Sequence, residues 1–330
     1  MWSPTEPFVP RWGIRSGHFQ TIASHLLRRS TPLPPPEDRL IEVAPGIQVL
    51  CHCHWQPERQ NALTVITVHG LEGSSDSQYV RGISQKALAL GMNAVRMNQR
   101  NCGGTEHLAP TLYHSGLSGD VGAVAKSLIA SEGLTRIALA GYSMGGNLVL
   151  KLAGEWGGDH PQLEAVAAVC PSMDLAASAD ALNEPANILY EKYFVLRLKQ
   201  RLARKAELFP GQFQVSAADG ASTVRKFDNQ VTAPFSGFRD ADDYYARAAA
   251  SNVVDRIAVP TLILYSADDP FIRIQPQTQA KVLTNRNIRY LETANGGHCS
   301  FIASPNGYDG YWAEKQVVDF FQSHCSDVRD

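Results

Sequence analysis

The 330-residue sequence lacks three features that would assign it to a specialised class of protein. Its charge is nearly balanced, with 30 Lys+Arg against 32 Asp+Glu and a net charge of −2, which gives no reason to expect nucleic-acid binding. No run approaches the roughly 18 apolar residues that a membrane-spanning helix needs. Six cysteines are few for this length and favour reduced thiols over a disulfide framework.

Residues 1–10 contain neither the basic segment nor the apolar segment of a secretory signal. Together with the reduced cysteines, this predicts a cytoplasmic protein. The apolar fraction of 44% is ordinary for a globular chain and allows a large core.

From residue 62 onward, short apolar runs alternate with amphipathic helical stretches. This alternation predicts an α/β fold in which a mostly parallel sheet carries helices on both faces. The predicted strands are Ala62–Val68, Asn93–Met97, Thr135–Ala140, Ala165–Val169, Pro260–Tyr265 and Asn287–Leu291. The predicted helices are Gln78–Leu90, Ser118–Ser131, Met144–Trp156 and Tyr311–Ser323.

Two segments depart from this alternation. Residues 1–60 are predicted to form an N-terminal extension and edge strands, and a period-2 pattern from Ile47 to Trp55 predicts one antiparallel strand at the sheet edge. Residues 173–254 contain no comparable apolar run and are predicted to be a helical cap. The cap is an insertion into a core formed by residues 61–172 and 255–330.

Within the predicted cap, Ala186–Phe209 has a helical pattern with six basic residues against two acidic ones. Two interpretations stay open for it. The helix is either a lid whose basic residues form a solvated face, or a cationic amphipathic helix that makes peripheral contact with anionic lipid.

The strongest chemical motif is Gly141-Tyr142-Ser143-Met144-Gly145. It follows an apolar run and precedes a helical pattern, which is the strand–turn–helix setting of a nucleophile elbow. Ser143 is therefore the candidate nucleophile. A serine needs a base to take its proton and a third group to orient that base.

In this arrangement the acid and the histidine follow the serine along the chain. Asp268 and Asp269 come just after the run Pro260–Tyr265, and His298 lies in a loop after the last run. We favour Asp269 as the acid because of its spacing from the strand and the proline that follows, while Asp268 stays open. An oxyanion hole is predicted from the backbone N–H groups of Met144 and of Leu71, which lies between two glycines.

With these parts in place, the sequence resembles the YheT-like branch of the α/β-hydrolases, which includes plant embryogenesis-associated and animal abhydrolase-domain proteins. The resemblance covers nearly the whole chain. It rests on the blocks 17–21, 69–75, 98–104, 141–147, 227–228, 232–233, 244–245, 268–271 and 296–298. It implies an α/β-hydrolase fold, a Ser–Asp–His triad, no cofactor and esterase or lipase-like activity.

The sequence therefore predicts a serine hydrolase that cleaves short-chain, medium-chain or lipid-like carboxylic esters through an acyl-enzyme on Ser143. We expect no cofactor, no metal and no nucleic-acid partner, while the oligomeric state stays open. Two alternatives remain at this point: an acyltransferase that uses the same triad, and a non-catalytic binding protein on the hydrolase fold.

Overall fold

A computed structural model describes residue 4, residues 6–27 and residues 29–325. The remaining residues of the predicted extension and core, 1–3, 5, 28 and 326–330, lie outside the described part. One sheet of eight strands has the order β1-β2-β4-β3-β5-β6-β7-β8. The strands are β1 Glu37–Ala44, β2 Ile47–His54, β3 Thr64–Val68, β4 Asn93–Met97, β5 Ile137–Tyr142, β6 Leu163–Val169, β7 Thr261–Ser266 and β8 Ile288–Thr293.

The helices that follow or precede these strands cover both faces of the sheet. They are α1 Gly17–Leu26, α2 Gln78–Ala89, α3 Ser118–Glu132, α4 Met144–Trp156, α5 Leu175–Leu182, α6 Ile188–Leu208, α7 Val224–Phe227, α8 Ala233–Phe235, α9 Ala241–Ala248, α10 Pro276–Thr284 and α11 Trp312–Cys325.

Strands β4, β3, β5, β6, β7 and β8 pair in parallel. Every residue of β3, β4 and β5 is buried, which explains their continuous apolar runs. Along β3, Ile66 and Val68 belong to one apolar cluster while Val65 belongs to another, because successive side chains point to opposite faces. The predicted α/β fold with a mostly parallel sheet is confirmed.

The predicted position of the strand from Ile47 to Trp55 was wrong in one respect. This segment forms β2, which is antiparallel as expected, but it pairs with β1 on one side and β4 on the other. The edge strand is β1. Four of its eight residues are charged, in the segment EDRLIEVA, so it has no apolar run by which a strand could be recognised.

Between β6 and β7 the chain forms helices α5 to α9 and no strand. Apolar side chains of this segment, including Leu198, Leu202 and Phe227, pack with Phe271 in a cluster separate from those of the sheet. Across the described residues, no helix combines the length and apolar character that crossing a membrane requires.

Candidate active site

Ser143 occupies a sharp turn between β5 and α4. Its φ of +53° and ψ of −118° lie in a region that costs a non-glycine residue about 1–3 kcal/mol. The turn needs glycine on both sides: a Cβ on Gly141 would lie 2.2 Å from Gly145 O, and one on Gly145 would lie 2.3 Å from Val68 O. The Ser143 amide donates to Val169 O at 2.9 Å, which fixes the turn to the end of β6.

His298 and Asp269 form a hydrogen-bonded pair in neighbouring loops. His298 Nδ1 lies 2.8 Å from Asp269 Oδ2, and the carboxylate is fully buried. Its other oxygen, Oδ1, accepts the amides of Phe271 at 3.1 Å and Ile272 at 2.9 Å. These bonds fix the carboxylate, and the carboxylate fixes the orientation of the imidazole.

The adjacent acid, Asp268, contacts other groups. Its Oδ1 accepts from Ser266 Oγ at 2.6 Å and from the Gly297 amide at 2.9 Å, and its Oδ2 lies 3.3 Å from Asn295 Nδ2. Asp268 therefore braces the backbone of the loop that carries His298. Of the two acids left open by the sequence, Asp269 is the one that contacts the histidine.

The charges around His298 favour its protonated form. Burial lowers the pKa of the imidazole, but the charges of Cys299 and Asp269 and the hydrogen bonds to them outweigh burial and raise the pKa above its ordinary value. Only a neutral imidazole can accept a proton. Any reaction that uses His298 as a base is therefore expected to accelerate as the pH rises towards this pKa.

The loop after β3 lies against Ser143, the candidate nucleophile. A Cβ on Gly70 would lie 3.2 Å from Ser143 Cβ, and the Gly70 amide donates to Tyr79 Oη at 2.9 Å. Leu71 and Met144 line the same cavity as Ser143. Met144 is the first residue of α4, so its amide has no acceptor within the helix and is available to a ligand.

Within the described ranges, no hydrogen bond joins Ser143 Oγ to His298. The Nε2 atom of His298 lies 3.7 Å from Cys299 Sγ instead. The turn that carries Ser143 and the loop that carries His298 both contact the carbonyl oxygen of Val169. This oxygen lies 2.9 Å from the Ser143 amide nitrogen and 3.5 Å from Cys299 Sγ. Catalytic hydrogen bonds often tighten only when substrate binds.

The cavity in front of Ser143 is lined largely by the segment between β6 and β7. Its apolar wall includes Leu175, Leu182, Phe194, Leu198, Val224 and Phe271. The Phe271 ring centroid lies 4.3 Å from that of His298. A polar group at the wall is Asp228, which accepts from Tyr245 Oη at 2.7 Å, and its burial raises its pKa to about 6. The wall suits an apolar group more than a charged one.

An ion pair that the sequence did not reveal joins α6 to the loop after β3. Arg201 donates Nε to Glu72 Oε1 at 2.9 Å and Nη2 to Glu72 Oε2 at 2.8 Å, and their side chains are 10% and 2% exposed. Lys205, on the same helix, is fully buried. The expectation of a solvated basic face is therefore wrong for these two of the six basic residues.

The N-terminal helix α1 also reaches the site. The amide of His298 donates to Thr21 Oγ1 at 2.8 Å, and Thr21 Oγ1 donates to Gly17 O at 2.7 Å. No motif of known chemistry marks these residues. The block 17–21 was among those that carried the family resemblance, and this was the only sign in the sequence that the segment had a role at the site.

Comparison with known proteins places the chain in a family. A profile described as "alpha/beta hydrolase fold" matches residues 64–305. The Escherichia coli (strain K12) protein "Putative esterase YheT" is 32% identical over 325 residues, which cover 98% of this chain and 95% of that protein. The chain belongs to the YheT-like branch of the α/β-hydrolases.

The chain is also similar to a second relative and to a solved structure. Mouse "Phospholipase ABHD3" is 27% identical over 319 residues, which cover 93% of this chain and 75% of that protein. The structure of the Pyrococcus furiosus esterase Pf2001 has a TM-score of 0.58 at 16% identity, covering 88% of this chain and 92% of its own. At this identity the structural likeness shows the fold alone. The YheT-like relatives support a hydrolase activity for this chain.

Proposed function

We propose that this YheT-like protein hydrolyses carboxylic esters through an acyl-enzyme on Ser143. The strained turn at Ser143 carries the proposal, because backbone strain persists where the surrounding structure enforces it, and it concentrates at functional sites. The cavity that Ser143 shares with Leu71 and Met144 supports it. So do the names of two relatives, an esterase and a phospholipase, since both describe enzymes that act on esters.

The reaction proceeds in two steps. Ser143 Oγ attacks the ester carbonyl while His298 takes its proton, and Asp269 holds the imidazole in the required tautomer. The amides of Leu71 and Met144 bind the oxyanion. Collapse of the intermediate releases the alcohol, which takes the proton from His298. Water then attacks the acyl-enzyme with His298 as base, and the carboxylic acid leaves.

Replacing the nucleophile tests this mechanism directly. We expect Ser143→Ala to lower kcat for a model aryl ester by at least about 1000-fold, because no other group then forms the acyl bond. Ser172→Ala is the matched control, since Ser172 lines the same cavity but has no role in the mechanism. A purified, folded Ser143→Ala protein that retains most of its activity contradicts the proposal.

The two acids are separated by a paired substitution. Asp269→Asn keeps the shape of the side chain but favours the wrong tautomer of His298, so kcat should fall by about 10⁴-fold. Asp268→Asn should have a smaller effect, because Asp268 contacts the loop backbone and not the imidazole. The opposite ranking would assign the acid to Asp268.

Separate experiments identify the substrate and the acyl acceptor, which is water in hydrolysis and an alcohol or a thiol in acyl transfer. The apolar wall favours short-chain, medium-chain or lipid-like acyl groups, so kcat/KM over a panel of esters of graded chain length is the measurement. Products formed in the presence of competing alcohols or thiols distinguish hydrolysis from acyl transfer. Failure of Ser143 to react with a fluorophosphonate probe would favour the binding-protein alternative.

We also propose a peripheral lipid contact through α6, in a protein that we still predict to be cytoplasmic. Leu189, Tyr193 and Leu196 are 74%, 47% and 56% exposed, and Lys192 and Arg197 are exposed beside them. This combination is typical of helices that lie on anionic membranes. Sedimentation with anionic vesicles should exceed that with neutral vesicles. Equal, negligible binding to both contradicts this contact.

A further inference from the structure

Two cysteines lie beside His298, and the proposed mechanism uses neither. Cys170 follows β6 directly, and Cys299 follows His298. Their sulfur atoms and a ring nitrogen of His298 all lie within 4.8 Å of one another. The contact between Cys299 Sγ and His298 Nε2 is 3.7 Å. Thiolate sulfur and imidazole nitrogen are the ligands that zinc prefers in proteins.

The spacing of these atoms is close to that of a zinc site. With Zn–S near 2.3 Å and Zn–N near 2.0–2.1 Å, tetrahedral ligands lie about 3.5–3.8 Å apart. The sulfur–nitrogen contact of 3.7 Å already satisfies this. No two ligand atoms in the cluster are more than 4.8 Å apart, so a movement of at most about 1 Å brings each pair into the same range.

The cluster also has the outer contacts of a metal site. Metal-binding histidines usually donate their second ring N–H to a carboxylate, which fixes the ring and raises its basicity. Asp269 occupies this position at 2.8 Å from His298 Nδ1, so Nε2 is the atom left to bind a metal. Asp269 is itself held by the amides of Phe271 and Ile272.

The backbone holds both thiols in place. Cys170 has a φ of +44° and Cys299 a φ of +62°, values that non-glycine residues rarely adopt. Each sulfur also contacts the other segment: Cys170 Sγ lies 3.7 Å from Gly297 O, and Cys299 Sγ lies 3.5 Å from Val169 O. Strained positions of this kind concentrate at functional sites.

We propose that Cys170, Cys299 and His298 bind a soft divalent cation, Zn²⁺, and that this binding switches the hydrolase off. On binding, the Cys170 thiol and the protonated Nε2 of His298 release their protons to solvent, and both sulfurs and Nε2 bond to the metal. A water molecule takes the fourth position. The Nε2 lone pair is then committed to zinc and cannot accept the proton of Ser143. The inhibition rests on the proposed function, whereas the binding does not.

Binding is tested first, with Co²⁺ as the spectroscopic probe and the protein kept reduced. We expect a sulfur-to-cobalt charge-transfer band that saturates at one Co²⁺ per chain and disappears when Zn²⁺ is added. Cys170→Ser and Cys299→Ser should each weaken the binding at least about tenfold, as loss of metal-site contacts typically does. Cys51→Ser should leave the binding unchanged, because Cys51 lies on β2, away from the cluster, and is as fully buried as Cys170.

The absence of the band, or a band of equal strength in Cys170→Ser and Cys299→Ser, overturns the proposal. Cys299 is only partly buried, so its variant remains informative if Cys170→Ser fails to fold. Ser143→Ala separates this proposal from the preceding one, because it should lose ester hydrolysis and still bind Co²⁺.

Inhibition is tested by titrating Zn²⁺ into the ester assay and reversing the effect with a chelator. Each variant is compared with its own metal-free rate, so that a change in basal activity does not enter the result. The zinc concentration that halves the rate should rise at least about tenfold in Cys299→Ser. Zinc inhibition of equal potency in Cys299→Ser and the parent protein contradicts a role for this thiol.

Discussion

The two loops beside Ser143 are held in place by different kinds of contact. The oxyanion side, residues 69–73, is fixed by buried charge. Both oxygens of Glu72 accept from Arg201. Glu72 Oε1 also accepts from Tyr113 Oη at 2.7 Å, and the Glu72 amide donates to the same hydroxyl at 3.0 Å. Glu72 has a φ of +58°, so these contacts hold a strained residue next to Leu71.

The histidine side, residues 295–299, is fixed by close packing and hydrogen bonds to α1. Thr21 accepts the amide of His298. Gln20 makes a two-way contact with Ile302, donating Nε2 to its carbonyl at 3.0 Å and accepting its amide at 2.7 Å. Gly17 lies so close to the Asp268 carbonyl that there is no room for a side chain.

This difference indicates which substitutions should displace each of the two loops. The oxyanion side depends on a charge supplied by α6, and the histidine side depends on the absence of a side chain in α1. The contacts that α6 and α1 supply come from outside the predicted core of residues 61–172 and 255–330, whereas Tyr113 and Asp268 lie within it. A division of the chain by strand–helix alternation therefore separates the candidate triad from two of the segments that position it.

The largest effect is expected on the histidine side from Gly17→Ala. The new Cβ would lie 1.8 Å from Asp268 O, so α1 and the loop after β7 must move apart. A displacement of about 1 Å at a catalytic group can lower the rate about 100-fold, and we expect a loss of this size in kcat. The control is Gly119→Ala in α3, where an added Cβ meets nothing within 4 Å. Normal kcat in a folded Gly17→Ala protein contradicts the role given to α1.

On the oxyanion side, Arg201→Met removes the cation but keeps much of the side-chain volume. Glu72 is then a buried charge without its partner, and the free energy of unfolding should fall by about 3 kcal/mol. We expect kcat to fall about tenfold, less than the roughly 100- to 1000-fold loss on removing an oxyanion donor, because the Leu71 amide would be displaced and not removed. Denaturant titration and steady-state kinetics measure the two effects.

Arg204→Met is the matched control for this change. Arg204 pairs with Glu207 on the same helix, but their side chains are 55% and 66% exposed, and an exposed pair contributes less than about 1 kcal/mol. Adding Glu72→Gln to Arg201→Met should recover part of the lost stability, because it removes the unpaired charge. Equal stability losses from Arg201→Met and Arg204→Met would show that burial of the pair does not matter.

A smaller effect is expected from Thr21→Val, which removes the acceptor of the His298 amide without changing the size of the side chain. A buried donor left without a partner costs about 1–3 kcal/mol, so the free energy of unfolding should fall by that amount. Thr21→Ser keeps the hydroxyl and should lose less. If Thr21→Val is as stable as the parent protein while Thr21→Ser is destabilised, the methyl group and not the hydrogen bond stabilises this contact.

The sequence predicted the fold where burial left a simple pattern. Parallel strands buried on both faces, such as β3 and β5, appear as unbroken apolar runs. Strand β1 and helix α1 were missed because they lie at the periphery. Charged residues interrupt β1, and α1 buries the polar residues Gln20 and Thr21 while it exposes Phe19 and Leu26 at 66% and 73%, so in neither element do the apolar positions alone mark the buried face.

The candidate site was predictable where chemistry constrains residue type and chain order. Ser143, the acid pair and His298 could be proposed because a nucleophile, an acid and a base are expected after particular strands. The choice of Asp269 over Asp268 as the partner of His298 is visible only in the hydrogen bonds. Glu72 and Arg201 could not be paired from the sequence, because nothing local relates two residues 129 positions apart.

The smallest effect in this comparison depends on pH. Burial raises the pKa of Glu72, but the hydrogen bonds and charge of Arg201 outweigh it and hold that pKa below its ordinary value of 4.5. The ion pair therefore contributes its full stabilisation above pH 4.5 and loses it as the pH falls through the lowered pKa.

Below pH 4.5, the difference in unfolding free energy between the parent protein and Arg201→Met should shrink. The difference for Thr21→Val should stay constant, because the Thr21 hydroxyl and the His298 amide do not titrate in this range. Denaturant titrations at pH 7, 5 and 4 measure both differences. A constant difference for Arg201→Met would mean that the oxyanion side is held by packing, as the histidine side is.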